Sequence, residues 1–287
     1  MKINSISPLN HKYLQIVGSI AKVPKIVHVY GELPEQRRLS VAIIGSRRPT
    51  SYGTQVALEL AEKLARKGVV IISGLAYGID ATAHKGALNV GGTTIAVLAG
   101  GLGAIYPRAH TGMAEDIVRD GGALISEYPH DALPMKHHFL ERNRLVSGLA
   151  DAVIVVEAGE RSGTLSTVTH ALEQGKEVFA VPGPITSQQS VGPNRLIQQG
   201  AHPVLSAEDI LTVIAPHLVD IAHTQPLSHA YTGDARTLLS LIESGTDHGE
   251  ALLTHSRLTP AMYFTTMTML EVDGVIRSIG GNRWALT

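Results

Sequence analysis

The chain has 287 residues, no cysteine, 44% apolar and 17% charged residues, and a net charge of −1. At roughly 150 residues per domain this is about two domains, long enough to bury a core without staples. The missing cysteines exclude disulfides, iron–sulfur and zinc-thiolate centres and any Cys nucleophile.

No apolar run approaches the ~20 residues of a membrane span. Residues Met1 to Leu14 show no basic segment followed by an apolar one, the pattern of a secretory signal. A cytoplasmic protein without membrane attachment is expected. Charge is unevenly placed: +4 over residues 1–40, +2 over 41–150, −4 over 151–210 and −3 over 211–287. An anionic ligand is expected in the N-terminal half.

Residues 1–40 read as a short extension. From Val41 the chain alternates strand and helix. Val41–Ile44 is a buried strand, followed by the turn Gly45–Thr50. Ser51 caps a helix to Lys67, with Val56, Leu60 and Leu64 on one face and Gly68 as its stop. Val69–Ile72 is the next strand, then a glycine-punctuated turn and a helix near Asp80–Asn89. Thr94–Leu98, Ala123–Ser126, Ala152–Val156 and Glu177–Val181 repeat the strand signal, separated by helical stretches. These strands are almost wholly apolar, as a parallel sheet covered on both faces requires. The expected fold over 41–210 is an α/β, doubly wound, mostly parallel Rossmann-like sheet.

Residues 211–232 hold two prolines, three histidines and no Lys or Arg, and read as a linker. In 233–287, helices at Ala235–Ser244, Gly249–His255 and Thr259-Pro260 to about Glu271 precede two short strands. These flank Gly280-Gly281, a hairpin signal. The pattern resembles a small winged helix. Its third helix, Pro260–Leu270, has no Lys, Arg, Asn or Gln, and residues 233–287 sum to −2. A role in protein contact or packing is expected there rather than DNA reading; a vestigial domain is the alternative.

In an open parallel sheet, ligands sit beyond the C-terminal ends of the strands. The segments leaving those ends are Gly45–Thr50, Ser73–Asp80, Gly100–Gly103, Glu127–Asn143 and Glu157–Thr164. They are rich in Gly, Ser, Thr and Arg, which leaves backbone N–H groups free to meet an anion. Each alone could be an ordinary turn; five on one edge favour a phosphate-type ligand. No G-x-G-x-x-G, P-loop or G-x-S-x-G motif occurs, which disfavours a dinucleotide, a P-loop nucleotide and α/β-hydrolase chemistry. Fourteen histidines invite a metal, and Asp80 with His84 and the pair His137-His138 are the nearest candidates. No third ligand stands at a telling spacing, so neither a metal nor another cofactor is expected.

Lys136–Arg144 carries three permanent cations, one carboxylate, Phe139 and Asn143 in nine residues. On a helix, Phe139, Arg142 and Asn143 share a face. An aromatic beside Arg and Lys suits a single-stranded nucleic acid, with a base stacked on the ring and phosphates on the cations. The other reading is a core Phe among solvated charges.

Taken together, Val41–Arg47, Ser73–Asp80, Ala99–Leu102, Ser126–Pro129, Phe139–Arg144 and Ser162–Leu165 resemble the DNA processing protein A (DprA, or Smf) family. The resemblance covers roughly residues 20–210. It implies a Rossmann-like domain that binds single-stranded DNA, a homodimer, and loading of a RecA-type recombinase on incoming DNA in natural transformation. Carried over by position, Ser46, Arg47 and Gly74 would cradle phosphates, Lys136, Arg142 and Asn143 would hold the backbone, Phe139 would contact a base, and Thr164 would complete the site. Arg144 would instead partner an acid. Many members begin with a helical SAM-like domain, of which only the adjoining segment is expected here.

The competing reading is an enzyme. Nucleotide phosphoribohydrolases of the lysine-decarboxylase-like type share a similar sheet and a loop in which a Glu acts in catalysis. In the matching stretch Glu157–Thr167, Thr167 stands in place of that Glu, and a threonine cannot supply carboxylate chemistry. A protein without enzymatic activity is therefore expected.

Overall fold

The computed structural model describes residues 2–219 and 231–286. They form two compact units divided after Val219. The first is built on one nine-stranded sheet. In chain order its strands are β1 (Ile3–Ile6), β2 (Val27–Gly31), β3 (Ser40–Ile44), β4 (Val70–Ser73), β5 (Thr94–Val97), β6 (Ala123–Ser126), β7 (Ala152–Val155), β8 (Glu177–Ala180) and β9 (His202–Pro203). Their order across the sheet is β1-β2-β6-β5-β4-β3-β7-β8-β9. Every pairing from β6 to β9 is parallel, and only the pairings β1–β2 and β2–β6 are antiparallel, so β2 alone runs against the rest.

All residues of β3 to β7 are buried. Val41 and Ile43 of β3 face one apolar cluster, Ala42 and Ile44 the other. The helices α1 (Ser51–Arg66) and α2 (Ile79–Asn89) cover the first of these faces. The second is covered by α4 (Lys136–Leu149) and α5 (Thr164–Glu173), while α3 (Thr111–Arg119) packs beside β5 and β6. Continuous apolar strands between two helical layers are the reason the parallel sheet was expected.

Residues 1–40 are more than an extension. β1 and β2 join the sheet, and Tyr13, Leu14, Val17, Val27 and Val29 are buried in its core. The Tyr13 hydroxyl sits 2.8 Å from Ser40 Oγ, and burial pushes its pKa up to about 12. Arg37 stacks over the Tyr13 ring and donates to Asp151 at 2.7 Å. At α1 the cap is Thr50, whose side chain accepts from the Gly53 N–H, rather than Ser51. The segment read as a linker begins inside structure: α6 (Val191–Gln198) is followed by α7 (Ala207–Ile214) and a helical turn at Pro216–Leu218. Its stretch 220–230 lies outside the described residues.

In the second unit, helices Gly233–Glu243, Gly249–Ser256 and Pro260–Val272 pack around Leu238, Leu239, Leu252, Tyr263, Met267 and Leu270. Thr259 caps the third helix by accepting from the Met262 N–H, with Pro260 at the first helical position. β10 (Ile276–Gly280) and β11 (Arg283–Leu286) form an antiparallel hairpin. Its two-residue turn is Gly281-Asn282, both at positive φ near +60°, and not Gly280-Gly281. Two left-handed residues are the signature of the turn that best follows strand twist, and Asn tolerates that conformation. Among the described residues, no helix is long and apolar enough to cross a membrane.

His84 on α2 lends the first unit a pH dependence. It is fully buried, with Nδ1 2.7 Å from Thr94 Oγ1 and Nε2 without a hydrogen-bond partner among the described residues. Burial lowers its pKa to about 3. The unfolded chain binds this proton near pH 6.5, so stability rises with pH between those values. His84 alone should cost the folded state about 2 kcal/mol on going from pH 7 to pH 5. Urea titrations followed by far-UV circular dichroism should show that loss for the wild type and a flatter limb for His84→Gln. Parallel limbs would mean that His84 titrates normally.

Candidate functional site

Strands β4, β5 and β6 follow β3 to one side of it, whereas β7, next in the chain, lies on its other side. The order in which strands are added therefore reverses between β3 and β7, and a crevice opens at the carboxyl ends of strands at such a point. The crevice is a cleft of about 410 Å³. Ile44–Arg47 from the end of β3, Gly74 and Ala76 after β4, Phe139, Arg142 and Asn143 of α4, and Ser162–Thr164 at the start of α5 line it.

Seven of the eight residues singled out in the sequence line this cleft: Ser46, Arg47, Gly74, Phe139, Arg142, Asn143 and Thr164. Lys136 does not. It is the exposed first residue of α4.

Their hydrogen bonds divide the eight into two groups. Arg47 is exposed, its guanidinium lies over the Phe139 ring at 5.3 Å, and among the described residues it has no ion pair. Ser46 donates its N–H to the Glu157 carbonyl at 2.7 Å, and its hydroxyl accepts from the Arg48 N–H at 3.1 Å. The Ser46 hydroxyl proton thus stays available to a ligand. The loop is held by Glu157, which is 2% exposed and accepts from both the N–H and the hydroxyl of Thr50.

The other group is already engaged within the protein. The Gly74 N–H, expected to meet a phosphate, donates to Asp80 at 3.1 Å. A Cβ at Gly74 would lie within 2.6 Å of the Arg142 guanidinium, so the glycine makes room for that arginine. Arg142 itself is 4% exposed. Its Nη1 donates to the carbonyls of Gly74, at 2.8 Å, and Val97, and its Nε to Asn143 Oδ1 at 3.3 Å. Asp80, 7% exposed, provides the opposing charge. Burial raises the Asp80 pKa and Arg142 acts against that rise. Both amide hydrogens of Asn143 are spent on Gly163 O and Ser166 Oγ, tying α4 to α5. The Thr164 hydroxyl donates to the Gly45 carbonyl at 3.1 Å. Gly74, Arg142, Asn143 and Thr164 therefore brace the three loops around the cleft.

Sequence reasoning weighed Asp80 only as a metal candidate with His84. The structure separates them: Asp80 turns to Gly74 and Arg142, His84 to Thr94. Arg144 pairs with Glu127, as expected. Thr167, in the place of the catalytic Glu of the phosphoribohydrolases, lines the cleft.

The sequence model of the family described as DNA recombination-mediator protein A matches residues 4–215. Protein Smf of Escherichia coli K12 is 50% identical over 188 residues, covering 66% of this chain and 50% of that protein. DNA processing protein DprA of Bacillus subtilis is 41% identical over 225 residues, covering 78% of this chain and 75% of the other. The chain thus spans about half of the first relative's length and three quarters of the second's. Among solved structures, DprA of Streptococcus pneumoniae superposes with a TM-score of 0.69 at 38% identity over 75% of each chain. DNA processing protein A of Helicobacter pylori, solved for its single-stranded DNA binding mode, superposes with a TM-score of 0.67 at 32% identity. It covers 76% of this chain and 97% of its own.

Proposed function

Since this chain belongs to the DNA recombination-mediator protein A family, we propose that it binds single-stranded DNA in the cleft between β3 and β7 and loads a RecA-type recombinase onto it in natural transformation. The observation that carries the reading is Arg47, an exposed cation without an ion pair among the described residues, lying on Phe139 beside the Ser46 hydroxyl, whose proton is uncommitted. Such a combination holds a phosphate and offers a stacking face to the attached base, and it needs no particular sequence.

In this reading Arg47, Ser46 and Phe139 touch the strand, and Lys136 meets it where it leaves the cleft. Gly74, Arg142, Asn143 and Thr164 act one step back, as braces. The reading includes a homodimer and a recombinase contact, and both come from the family alone. Fluorescence anisotropy of a labelled dT oligonucleotide and its duplex form, in a salt series, tests it. Tight, salt-sensitive binding that favours the single strand is expected. No binding at low salt would turn attention to small phosphate ligands, and released base from nucleoside monophosphates would revive the enzyme reading.

A further inference from the structure

The third helix of the second unit, Pro260–Val272, is apolar on both sides. Tyr263, Met267 and Leu270 turn inward and build the core of that unit. Met262, Phe264, Thr265, Thr268, Met269 and Val272 are all exposed, Phe264 at 64%, Met269 at 62% and Val272 at 80%. None of the six carries a charge. A surface helix ordinarily turns charged residues outward, and an apolar face left open in this way points to a contact with another macromolecule.

The charges at the two ends of the helix decide which one. A helix is partly positive at its amino end and partly negative at its carboxyl end, so acids suit the first and bases the second. Here the arrangement is reversed. Arg257 lies just ahead of the amino end, and the first turn holds no acid. Glu271 and Asp273 close the carboxyl end, and the last turn holds no base. Arg283 pairs with Asp247, whereas Arg257, Glu271 and Asp273 have no ion pair among the described residues. Each end thus carries the charge that its own dipole disfavours, and the two ends complement one another. A second copy of the same helix, laid antiparallel, supplies both missing partners at once.

We infer that this helix is a contact between two copies of the chain, packed antiparallel about a twofold axis. With the axis beside Thr265 and Thr268, Phe264 of one copy meets Met269 of the other and the reverse, as an isologous contact requires. Arg257 of each copy then lies near Glu271 and Asp273 of the other. The face offers a few hundred Å² per copy, less than the ~800 Å² per partner of a standard interface. The pair is therefore weak and forms as concentration rises. It is separate from the homodimer that the family implies, since the family model ends at residue 215, and it does not rest on the reading of the cleft.

The chain has no cysteine, so a single introduced one reacts alone. The test treats the full chain carrying Thr265→Cys with a short bismaleimide over a range of protein concentrations. A cross-linked pair should form and increase with concentration. Thr254→Cys, exposed on the preceding helix, should give only the background of chance collisions. Met269→Lys added to Thr265→Cys should bring the yield down to that background, with an unchanged far-UV circular dichroism melt. Arg257→Glu should also lower it, and adding Glu271→Arg and Asp273→Arg to Arg257→Glu should restore it. Equal yields from Thr265→Cys and Thr254→Cys would overturn the proposal, as would a yield indifferent to Met269→Lys. A charge exchange that restores nothing would remove the antiparallel pairing on which the inference stands. No pair at any concentration would leave the face to a different protein and overturn the proposal as well.

Discussion

Arg142→Ala is expected to destabilise the first unit by about 3–5 kcal/mol, because it strips the cation from a buried carboxylate. Asp80 is 7% and Arg142 4% exposed. The arginine also satisfies the carbonyls of Gly74 and Val97, at the ends of β4 and β5. Its removal leaves these acceptors and Asp80 without the donors and charge that compensate them at the base of the cleft. Burial already raises the Asp80 pKa, and Arg142 opposes that rise. In the variant Asp80 takes up a proton more readily, so the deficit should shrink as pH falls from 7 toward 5. Pairing Arg142→Met with Asp80→Asn removes both charges and keeps most of the volume, and the double variant should cost less than the two single changes added. Urea titration followed by far-UV circular dichroism reads all of this. A wild-type transition in Arg142→Ala with lost DNA binding would instead make Arg142 a direct contact.

The same pair shows where the sequence could be read and where it could not. The strands β3 to β8 announce themselves, because a strand buried on both faces is a continuous apolar run. β1 and β2 do not. The burial of Ile3–Ile6 is confined to its ends and that of Val27–Gly31 alternates, and their place in the sheet comes from pairing with β6 rather than from local pattern. The loops at the strand ends are visible as clusters of small and basic residues. Their convergence at one reversal point is a property of strand order, which no local signal carries.

Within the site, residue type predicted proximity better than role. Arg142 and Arg47 look alike in a sequence, as cations in promising loops. What separates them is Asp80, held near Arg142 by the turn after β4, and the Gly74 Cα that leaves space for a guanidinium. The helix spacing of Phe139, Arg142 and Asn143 correctly placed them on one face. It could not say that Arg142 points beneath the cleft floor toward Gly74 and Val97, or that Asn143 spends its amide on α5. One signal was present. Asp80 opens α2 in a loop with Gly74 and Gly78, and a carboxylate there can accept the loop's own N–H groups.

Arg47→Ala should do the reverse of Arg142→Ala, leaving stability nearly unchanged and weakening the single-strand complex. Arg47 is exposed and makes no ion pair among the described residues, so the fold loses only its contact with Phe139. A cation that neutralises one phosphate of a single strand contributes about 0.7 to the slope of log K against log salt, which is about fivefold in affinity at 0.1 M. The Arg47→Ala titration should therefore be flatter by about that amount, and the loss should be alike for all sequences, since a phosphate contact reads no base. Lys136 supplies the comparison. It lies outside the cleft lining at the start of α4, so Lys136→Ala should flatten the slope for long oligonucleotides and do less for those short enough to end within the cleft. A slope unchanged in Arg47→Ala would remove the one uncommitted cation of the cleft from the interface, and with it the electrostatic basis for placing the strand there.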